Sequence, residues 1–374
     1  MEAYFDNSAT TRPCPAAVEA VRRAMTENWG NPSSLHEMGI RAEAVLDGAA
    51  KRTASLLHCK KEEIVFTSGG TQGNNIAVLG AAKANAARRK KLITDSIEHP
   101  SVDACFERMK NEGFDVVKIK NGRFGDIDLE QLESELGDDV SLVSVMAVNN
   151  ELGTVNDLKK IASLIRTRAK NALFHVDAVQ AFCKTPLDVR AGIDLMTVSS
   201  HKIHGTKGAG ALYVRKGVRL LSPVMGGEQG RGIRTGTEPV PAIAGFCAAM
   251  DEADIARDGE KVKELSLFLR RGLSELPFVT FNSPDGASPY IINAAFNGYP
   301  GEVILNFFSD RGIYVSTGSA CAKGASSPVL AACGIDKAAA GSSIRISLSK
   351  YNTREEAEYL LSAARAIPDI IRHR

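Results

Sequence analysis

The sequence has little excess charge of either sign, because its 46 lysines and arginines nearly balance its 44 aspartates and glutamates. A net charge of +2 argues against binding to nucleic acid or an anionic membrane through bulk electrostatics. Long apolar runs are also missing: the uncharged stretch Pro239–Met250 falls well short of the about 18 residues that a membrane helix needs. No basic segment followed by an apolar one opens the chain, so we expect no secretory signal and a cytoplasmic location.

Cysteine is sparse and irregularly spaced. The seven cysteines are odd in number, and none forms a Cys-x-x-Cys pair. This pattern is typical of a reduced cytosolic protein and excludes a disulfide framework or a zinc knuckle. His201 and His204 have no Cys or carboxylate at ligand spacing, so no metal site is predicted. With 44% apolar residues, the chain is too hydrophobic to be disordered.

Short apolar runs alternate with helical patterns through the first two-thirds of the chain. Strands are predicted at Ile64–Thr67, Leu92–Ile97, Val116–Ile119, Ser141–Val148, Leu173–Asp177, Leu195–Val198 and Gly210–Val214. Helices are predicted between them at Asn74–Ala87, Ser101–Asn111, Leu129–Leu136 and Leu158–Ala169. This alternation is typical of an α/β fold whose mainly parallel sheet is covered on both faces.

The pattern changes after Met250. A charged helix is predicted over Asp251–Leu276, followed by a region rich in proline and glycine. Further elements are predicted beyond it, with strands at Ile291–Phe296, Ile313–Val315 and Ser343–Leu348 and helices at Gly301–Arg311 and Thr353–Ile367. We therefore predict a large α/β domain over residues 15–250 and a smaller α+β domain formed by residues 1–14 and 251–374.

Two strand ends carry residues suited to a carbonyl cofactor. Lys202 lies in a loop rich in Ser, His and Gly just beyond a strand, where a lysine of lowered pKa can hold such a cofactor as a Schiff base. The alternative is a surface lysine in a polar turn. Asp177 ends an apolar strand and could pair with a protonated pyridine nitrogen, which pyridoxal phosphate requires as an electron sink. The alternative is a helix-capping aspartate.

Polar groups follow further strands in the same way. Gly70 and Thr71 open a helix after a strand, where backbone amides and hydroxyls can bind one phosphate. Their spacing matches neither a dinucleotide fingerprint nor a P-loop, and an ordinary Gly-rich turn is the alternative. His99 could stack on a pyridine ring or simply sit in a loop, and Asn150 offers amide donors. Ligands of open α/β sheets bind at the carboxyl ends of strands, so these groups are expected to converge.

The second domain contributes two candidates. Cys321 lies in a run of small residues without apolar periodicity, which predicts an exposed, mobile loop. A thiol exposed near a cation can be a reactive thiolate, although a tolerated surface cysteine is the alternative. Arg345 lies in a β-like run, where it is expected to meet a carboxylate of either a substrate or a structural salt bridge.

Taken together, the motifs resemble those of the cysteine desulfurases, which are pyridoxal-phosphate enzymes of aminotransferase class V. The resemblance spans nearly the whole chain and includes the loops above together with Tyr4–Thr11, Gly30–Ser34, Arg234–Thr237, Gly318–Cys321 and Ser343–Arg345. It implies fold type I, with a mainly parallel seven-stranded sheet in the large domain. The smaller domain would carry the nucleophilic cysteine loop.

The resemblance also implies the residues that hold pyridoxal phosphate. Lys202 would bind it covalently and Asp177 would pair with the ring nitrogen, while His99 would stack on the ring. The remaining contacts would be made to the phenolic oxygen by Asn150 and Gln180, and to the phosphate by Gly70, Thr71, Ser199 and His201. Thr237 would reach the phosphate of a neighbouring subunit, which implies a homodimer.

The implied reaction converts L-cysteine to L-alanine. Arg345, helped by Asn31, would bind the substrate carboxylate, Lys202 and His99 would move protons, and Cys321 would take the sulfur as a persulfide. The acceptor would serve iron–sulfur cluster assembly or tRNA thiolation. The stretch from Cys321 to Leu330 is about two residues shorter than the pattern of the general cluster-assembly enzymes. A shorter loop favours a dedicated acceptor, such as a tRNA-thiolating enzyme, over a general scaffold protein.

Other functions share part of this pattern. A selenocysteine lyase, or a cysteine or cystine C–S lyase, would use the same cofactor frame without needing Cys321. A cofactor-bound scaffold or regulator without catalysis is a further alternative, and a broken set of site residues would mark it. Here Lys202, Asp177, His99 and Cys321 are all present.

Overall fold

A computed structural model describes residues 1–227, 229–318 and 327–371. Cys321, with the exposed loop predicted for it, lies outside the described residues. In the part that the structure describes, no helix combines the length and the apolar character needed to span a membrane.

The largest sheet in the described chain has seven strands. They are β2 (Ile64–Thr67), β3 (Lys91–Asp95), β4 (Asp115–Ile119), β5 (Val140–Ser144), β6 (Leu173–Asp177), β7 (Leu195–Ser199) and β8 (Gly210–Val214). Their order across the sheet is β2-β8-β7-β6-β5-β3-β4. Only β8 runs against its neighbours β2 and β7, so the predicted mainly parallel sheet is confirmed.

Successive residues of the inner strands point into two different cores. Leu92 and Leu142 pack in the core on one face, whereas the next residues, Ile93 and Val143, pack in the core on the other. This is the two-residue period of a strand, and it explains why these strands are apolar throughout. The faces are covered by helices that include α3 (Gly70–Asn85), α4 (Pro100–Asn111), α5 (Leu129–Glu135) and α6 (Leu158–Arg168).

A smaller antiparallel sheet is built by the last third of the chain. Its strands are β9 (Val279–Phe281), β10 (Ile291–Phe296) and β12 (Ser343–Ser347), with β10 in the centre. The N-terminal strand β1 (Ala3–Tyr4) pairs in parallel with β11 (Ile313–Tyr314). The N-terminus is also held to this region by Asn7, whose Nδ2 donates to the backbone oxygen of Ser347 at 2.9 Å.

The charged helix predicted over Asp251–Leu276 is present as α8 (Ile255–Ser274), with its ends slightly inside the predicted ones. A separate helix that was not predicted, α7 (Val240–Asp251), ends just before it. Asp254 lies between the two helices with an extended backbone, and its carboxylate accepts a hydrogen bond from the backbone N–H of Arg257 at 3.0 Å. Aspartate is a strong N-cap, so it begins a new helix here rather than continuing the old one.

The remaining helices were not predicted, or were predicted with slightly different ends. They are α1 (Pro15–Thr26), α2 (Glu37–Leu57), α9 (Gly301–Ser309), α10 (Pro328–Ala332), α11 (Lys337–Gly341), α12 (Arg354–Arg365) and α13 (Ile367–Ile370). Helices α1 and α2 both pack against α7. Their buried contact residues are mainly alanines, such as Ala17, Ala24 and Ala42, which weakens the apolar periodicity that would reveal a helix.

Candidate active site

The carboxyl ends of β2, β3, β5, β6 and β7 open into one cavity of about 1060 Å³. These five strands run in the same direction, because β2 is antiparallel to β8 and β8 is antiparallel to β7. The cavity is lined by most of the residues predicted from sequence: Gly70, Thr71, His99, Asn150, Asp177, Gln180, Ser199, His201, Lys202 and Arg345. The fold therefore brings together residues that are up to 275 positions apart in the chain.

Lys202 lies in a short turn directly after β7 and reaches back to the N-terminal segment. Its Nζ donates to the backbone oxygens of Ser8 and Ala9, the latter at 2.7 Å. Burial and, to a smaller extent, the nearby Arg345 lower the pKa of Lys202 to about 8, against the opposing effect of Asp6 and Asp177. The unprotonated fraction of the amine at neutral pH is therefore larger than for an ordinary lysine, and nucleophilic attack on a carbonyl requires that form.

Asp177 is buried at the end of β6 and is held by two neutral donors. Its Oδ1 accepts the N–H of Val179 at 2.9 Å, and its Oδ2 accepts Nδ2 of Asn74 at 2.7 Å. Nδ2 of Asn74 also donates to Ser101 Oγ at 2.9 Å. Asn74 was not predicted from the sequence, although it lies on the first turns of α3, the helix that the Gly-rich turn opens. The two bonds fix the carboxylate and leave its negative charge available to a cation in the cavity.

His99 is the N-cap of α4, and this fixes its protonation pattern. Its Nδ1 accepts the backbone N–H of Ser101 at 3.1 Å and lies 2.8 Å from Ser101 Oγ. Because Nδ1 is an acceptor, a neutral ring carries its proton on Nε2. Burial lowers the pKa of His99, although Asp177 opposes the shift, so the neutral form is favoured.

The turn between β2 and α3 forms a cradle for an anion. Gly69 has a φ of 146°, which only glycine adopts readily, and a Cβ on Gly70 would lie 2.7 Å from Val179 Cγ2. Across the turn, Ser199 Oγ is buried without a hydrogen-bond partner among the described residues. The 16-residue helix α3 directs its N-terminus at the same place. An orphaned hydroxyl and free amides at a helix N-terminus fit a phosphate.

Arg345 is almost fully buried and already has a carboxylate partner. Its Nη2 donates to Asp6 Oδ1 at 2.7 Å, while Nη1 donates to the backbone oxygens of Asn150 at 3.0 Å and Gly318 at 3.1 Å. Its Nε is buried without a partner among the described residues. Of the two partners predicted for this arginine, the structure shows the salt bridge, and it also places Arg345 on the wall of the cavity.

Among the predicted residues that the structure describes, two do not line the cavity. Asn31 is exposed, and its Oδ1 accepts the N–H of Ser33 at 3.0 Å. Thr237 is also exposed, and its backbone oxygen accepts from Arg234 at 3.3 Å. Within one subunit, neither contributes to the cavity wall.

Glu151 is a further cavity residue that was not predicted from the sequence. Its Oε2 accepts a hydrogen bond from Ser327 Oγ at 2.5 Å, and a Cβ on Gly318 would lie 2.9 Å from the same oxygen. Burial raises the pKa of Glu151, while Ser327 and Arg345 oppose the shift. One carboxyl group thus contacts the residues on both sides of segment 319–326. The signal in the sequence was an acid inside an otherwise uncharged run after β5.

Comparison with known proteins assigns this arrangement to a family. The model of the aminotransferase class-V family matches residues 3–360. The chain belongs to that family. A NifS/IcsS protein homolog of Lactobacillus delbrueckii subsp. bulgaricus is 40% identical over 96% of this chain and 95% of its own length. The cysteine desulfurase IscS of Methanosarcina thermophila is 38% identical over 98% of this chain and 91% of its own length.

A solved structure supports the same assignment within class V. A protein described as NifS-like superposes with a TM-score of 0.94 at 35% identity, and the match covers 99% of this chain and all of that chain. Within class V, the chain therefore belongs with the cysteine desulfurases, as the motifs predicted. Its fold is that of the pyridoxal-phosphate enzymes of fold type I.

Proposed function

We propose that this protein is a pyridoxal-phosphate-dependent cysteine desulfurase that converts L-cysteine to L-alanine. The observation that carries the proposal is the convergence of Lys202, Asp177 and Arg345 on one cavity. An amine of lowered pKa, a carboxylate held by neutral donors and a guanidinium are the groups needed for a carbonyl cofactor, its ring nitrogen and an amino-acid carboxylate.

The residues present fit the cofactor. Lys202 would bind its carbonyl carbon, Asp177 would pair with its ring nitrogen, and His99 would face the ring. Asn150 and Gln180 would bond the phenolic oxygen, while the orphaned Ser199 hydroxyl, His201, Gly70 and Thr71 would hold the phosphate. When bound there, pyridoxal phosphate would supply the electron sink that makes the Cα proton of the substrate acidic.

Three side chains of the protein would then orient the substrate and move its protons. Arg345 would orient the substrate through its carboxylate, which requires the guanidinium to share or exchange its contact with Asp6. Lys202 would take the proton from Cα once its amine is free. The neutral ring of His99 would donate from Nε2, because Nδ1 is occupied by Ser101.

Cys321 would be the nucleophile that receives the sulfur. Its thiolate would attack the sulfur of the substrate, forming a new S–S bond as the Cβ–S bond breaks, and the electron pair of that bond would remain with the carbon skeleton. Protonation of that skeleton at Cβ, and return of a proton to Cα from Lys202, would yield L-alanine. The enzyme would keep a persulfide, whose terminal sulfur passes to an acceptor.

We further propose a cytoplasmic homodimer that delivers sulfur to an acceptor protein. Exposed apolar side chains such as Leu35 (95% exposed) and Met225 (91% exposed) support a partner surface. The exposure of Thr237 is consistent with a contact to the phosphate of a second subunit. The acceptor would be a scaffold for iron–sulfur clusters or a tRNA-thiolating enzyme, and the short stretch from Cys321 to Leu330 favours the latter.

The first test is a single turnover of the cofactor-loaded protein with L-cysteine. We expect one alanine per active site and a mass increase of one sulfur atom on the peptide that contains Cys321. Cys321→Ser should abolish both the adduct and turnover, whereas Cys59→Ser, a partly buried thiol elsewhere, should change neither. Sulfide, pyruvate and ammonia from Cys321→Ser at the full rate would instead identify a C–S lyase, which eliminates sulfide from the substrate. A protein that takes up no cofactor would contradict the proposal altogether.

A further inference from the structure

Lys184 lies directly behind the site on the turn that follows β6. It is four residues beyond Gln180, and its Nζ donates to Gln180 Oε1 at 3.4 Å. The chain turns sharply here, because Cys183 has a left-handed backbone with a φ of 55°. This turn directs the amine toward Gln180 and over the ring of Tyr290, 5.4 Å from its centroid.

Gln180 is held from its other side by the N-terminal segment. Its Nε2 donates to the backbone oxygen of Ser8 at 3.0 Å, and the same oxygen accepts from Nζ of Lys202. The second N–H of Nε2 has no partner among the described residues. The amide therefore lies between Lys184 and a carbonyl oxygen shared with Lys202.

These two contacts select one orientation of the amide. An amide can rotate by half a turn with little change of shape, which exchanges its donor and acceptor ends. A protonated lysine amine offers only donors, a neutral one adds a single acceptor lone pair, and a backbone carbonyl offers only an acceptor. In the rotated state, the amide nitrogen would face the N–H groups of Lys184 and the amide oxygen would face the Ser8 oxygen. The contact with Ser8 would become repulsive in either protonation state of Lys184, and the contact with a protonated Lys184 would become repulsive as well.

We propose that Lys184 is a positioning residue that locks the Gln180 amide with its free N–H toward the cavity, ready for the phenolic oxygen of the cofactor. This inference rests on the proposed function, because the cofactor is the acceptor for that N–H. Lys184 itself does not line the main cavity among the described residues and therefore acts only through Gln180. Burial and the charge of Lys202 lower the pKa of Lys184 to about 7, yet both protonation states keep N–H donors.

The test is a double-mutant cycle on cofactor binding to the apoprotein. Gln180→Ala and Lys184→Met should each weaken pyridoxal-phosphate affinity about tenfold, because each removes one hydrogen bond at the site. The cofactor affinity of the double variant should also fall by only about tenfold, because Lys184 has no amide to orient once Gln180 is replaced. The visible absorption band of the loaded protein, which reports the phenolic oxygen, should shift in Lys184→Met and return in Lys184→Arg.

A matched control is Lys350→Met. Lys350 lines the same small cavity behind the site as Lys184, but it pairs with Asp258 and does not contact Gln180. This variant should have the same pyridoxal-phosphate affinity and the same visible absorption band as the unsubstituted protein. An additive loss of about a hundredfold in the cofactor affinity of the double variant would overturn the role of Lys184 but not the proposed function. An unshifted absorption band in Lys184→Met would have the same meaning. Failure of the unsubstituted protein to bind pyridoxal phosphate would overturn the proposed function together with it.

Discussion

Arg345 and Asp6, which are 339 residues apart in the chain, meet at the cavity with Nη2 2.7 Å from Oδ1. The arginine is 2% exposed, so its buried positive charge is compensated by this partner rather than by water. The residue proposed to bind the substrate carboxylate thus already holds a carboxylate of its own chain. An incoming amino acid must compete with Asp6 for the same guanidinium.

Asp6→Asn should therefore tighten the binding of L-cysteine. The asparagine keeps an oxygen near Nη2 but removes the competing negative charge, so we expect KM to fall several-fold, as measured by alanine formation. The free energy of unfolding should fall by about 1–2 kcal/mol, because a buried guanidinium loses its charged partner. A rise in KM with unchanged stability would show that Asp6 orients Arg345 rather than competing for it.

The uptake of pyridoxal phosphate by the apoprotein should depend on pH through Lys202. The attacking amine must be unprotonated, and its pKa is lowered to about 8, so the rate should rise as the pH passes through about 8 and level off above it. Arg345→Gln should move the midpoint upward, and Asp6→Asn should move it downward. Stopped-flow absorbance measures all three profiles. A midpoint near the ordinary lysine value in the unsubstituted protein would contradict the environment described for Lys202.

Gly318→Ala should impair sulfur transfer while leaving cofactor binding intact. Gly318 has a φ of 99°, and an added Cβ would lie 2.9 Å from Glu151 Oε2, which also accepts from Ser327. Strain of about 1–3 kcal/mol at this position corresponds to a loss of about 5- to 150-fold in the rate of persulfide formation. Rapid quenching followed by peptide mass spectrometry measures that rate. Gly286→Ala, at an exposed glycine with open space around it, is the matched control.

Asp95→Asn should make stability less dependent on pH. The Asp95 carboxyl is fully buried, its Oδ1 accepts from Ile97 at 3.0 Å, and its Oδ2 has no partner among the described residues. Burial raises its pKa to about 7, above the unfolded value, so the stability it contributes at low pH is lost as the pH rises through about 7. Between pH about 5 and 8, the free energy of unfolding of the variant should therefore rise by about 1 kcal/mol or more relative to that of the unsubstituted protein.

Urea unfolding followed by circular dichroism at several pH values gives that comparison. Asp115→Asn removes an exposed carboxylate at the start of β4 and serves as the control. If the difference between Asp95→Asn and the unsubstituted protein stayed constant with pH, the carboxyl would have to be ionised throughout.

Much of the fold and site could be predicted because the signals are local. The strands Ile64–Thr67 and Gly210–Val214 were predicted with their observed ends, since each is a short run rich in apolar residues that is followed by a polar residue. The convergence of His99, Asp177 and Lys202 followed from one rule, that the carboxyl ends of parallel strands meet at one edge.

What was missed depends on contacts between distant parts of the chain. Asn74 contacts Asp177 and Glu151 contacts Ser327 only after folding, and nothing in their neighbouring residues indicates those partners. The same holds for Asp6, whose role beside Arg345 no local pattern reveals. The division into residues 15–250 and residues 1–14 with 251–374 stays a prediction, as do the roles of Asn31 and Thr237.

The position of the N-terminal segment has a consequence for how the protein is made. Residues 1–9 are synthesised well before their partners, because β1 pairs with β11 and Asn7 is bound to Ser347, both of which lie more than 300 residues further along the chain. Lys202 receives its contacts with Ser8 and Ala9 only after that pairing has formed. Since the larger sheet can form during synthesis, the nascent chain carries an incomplete site until its last strands emerge. Capture of the proposed cofactor would thereby be delayed until β11 and β12 have been synthesised.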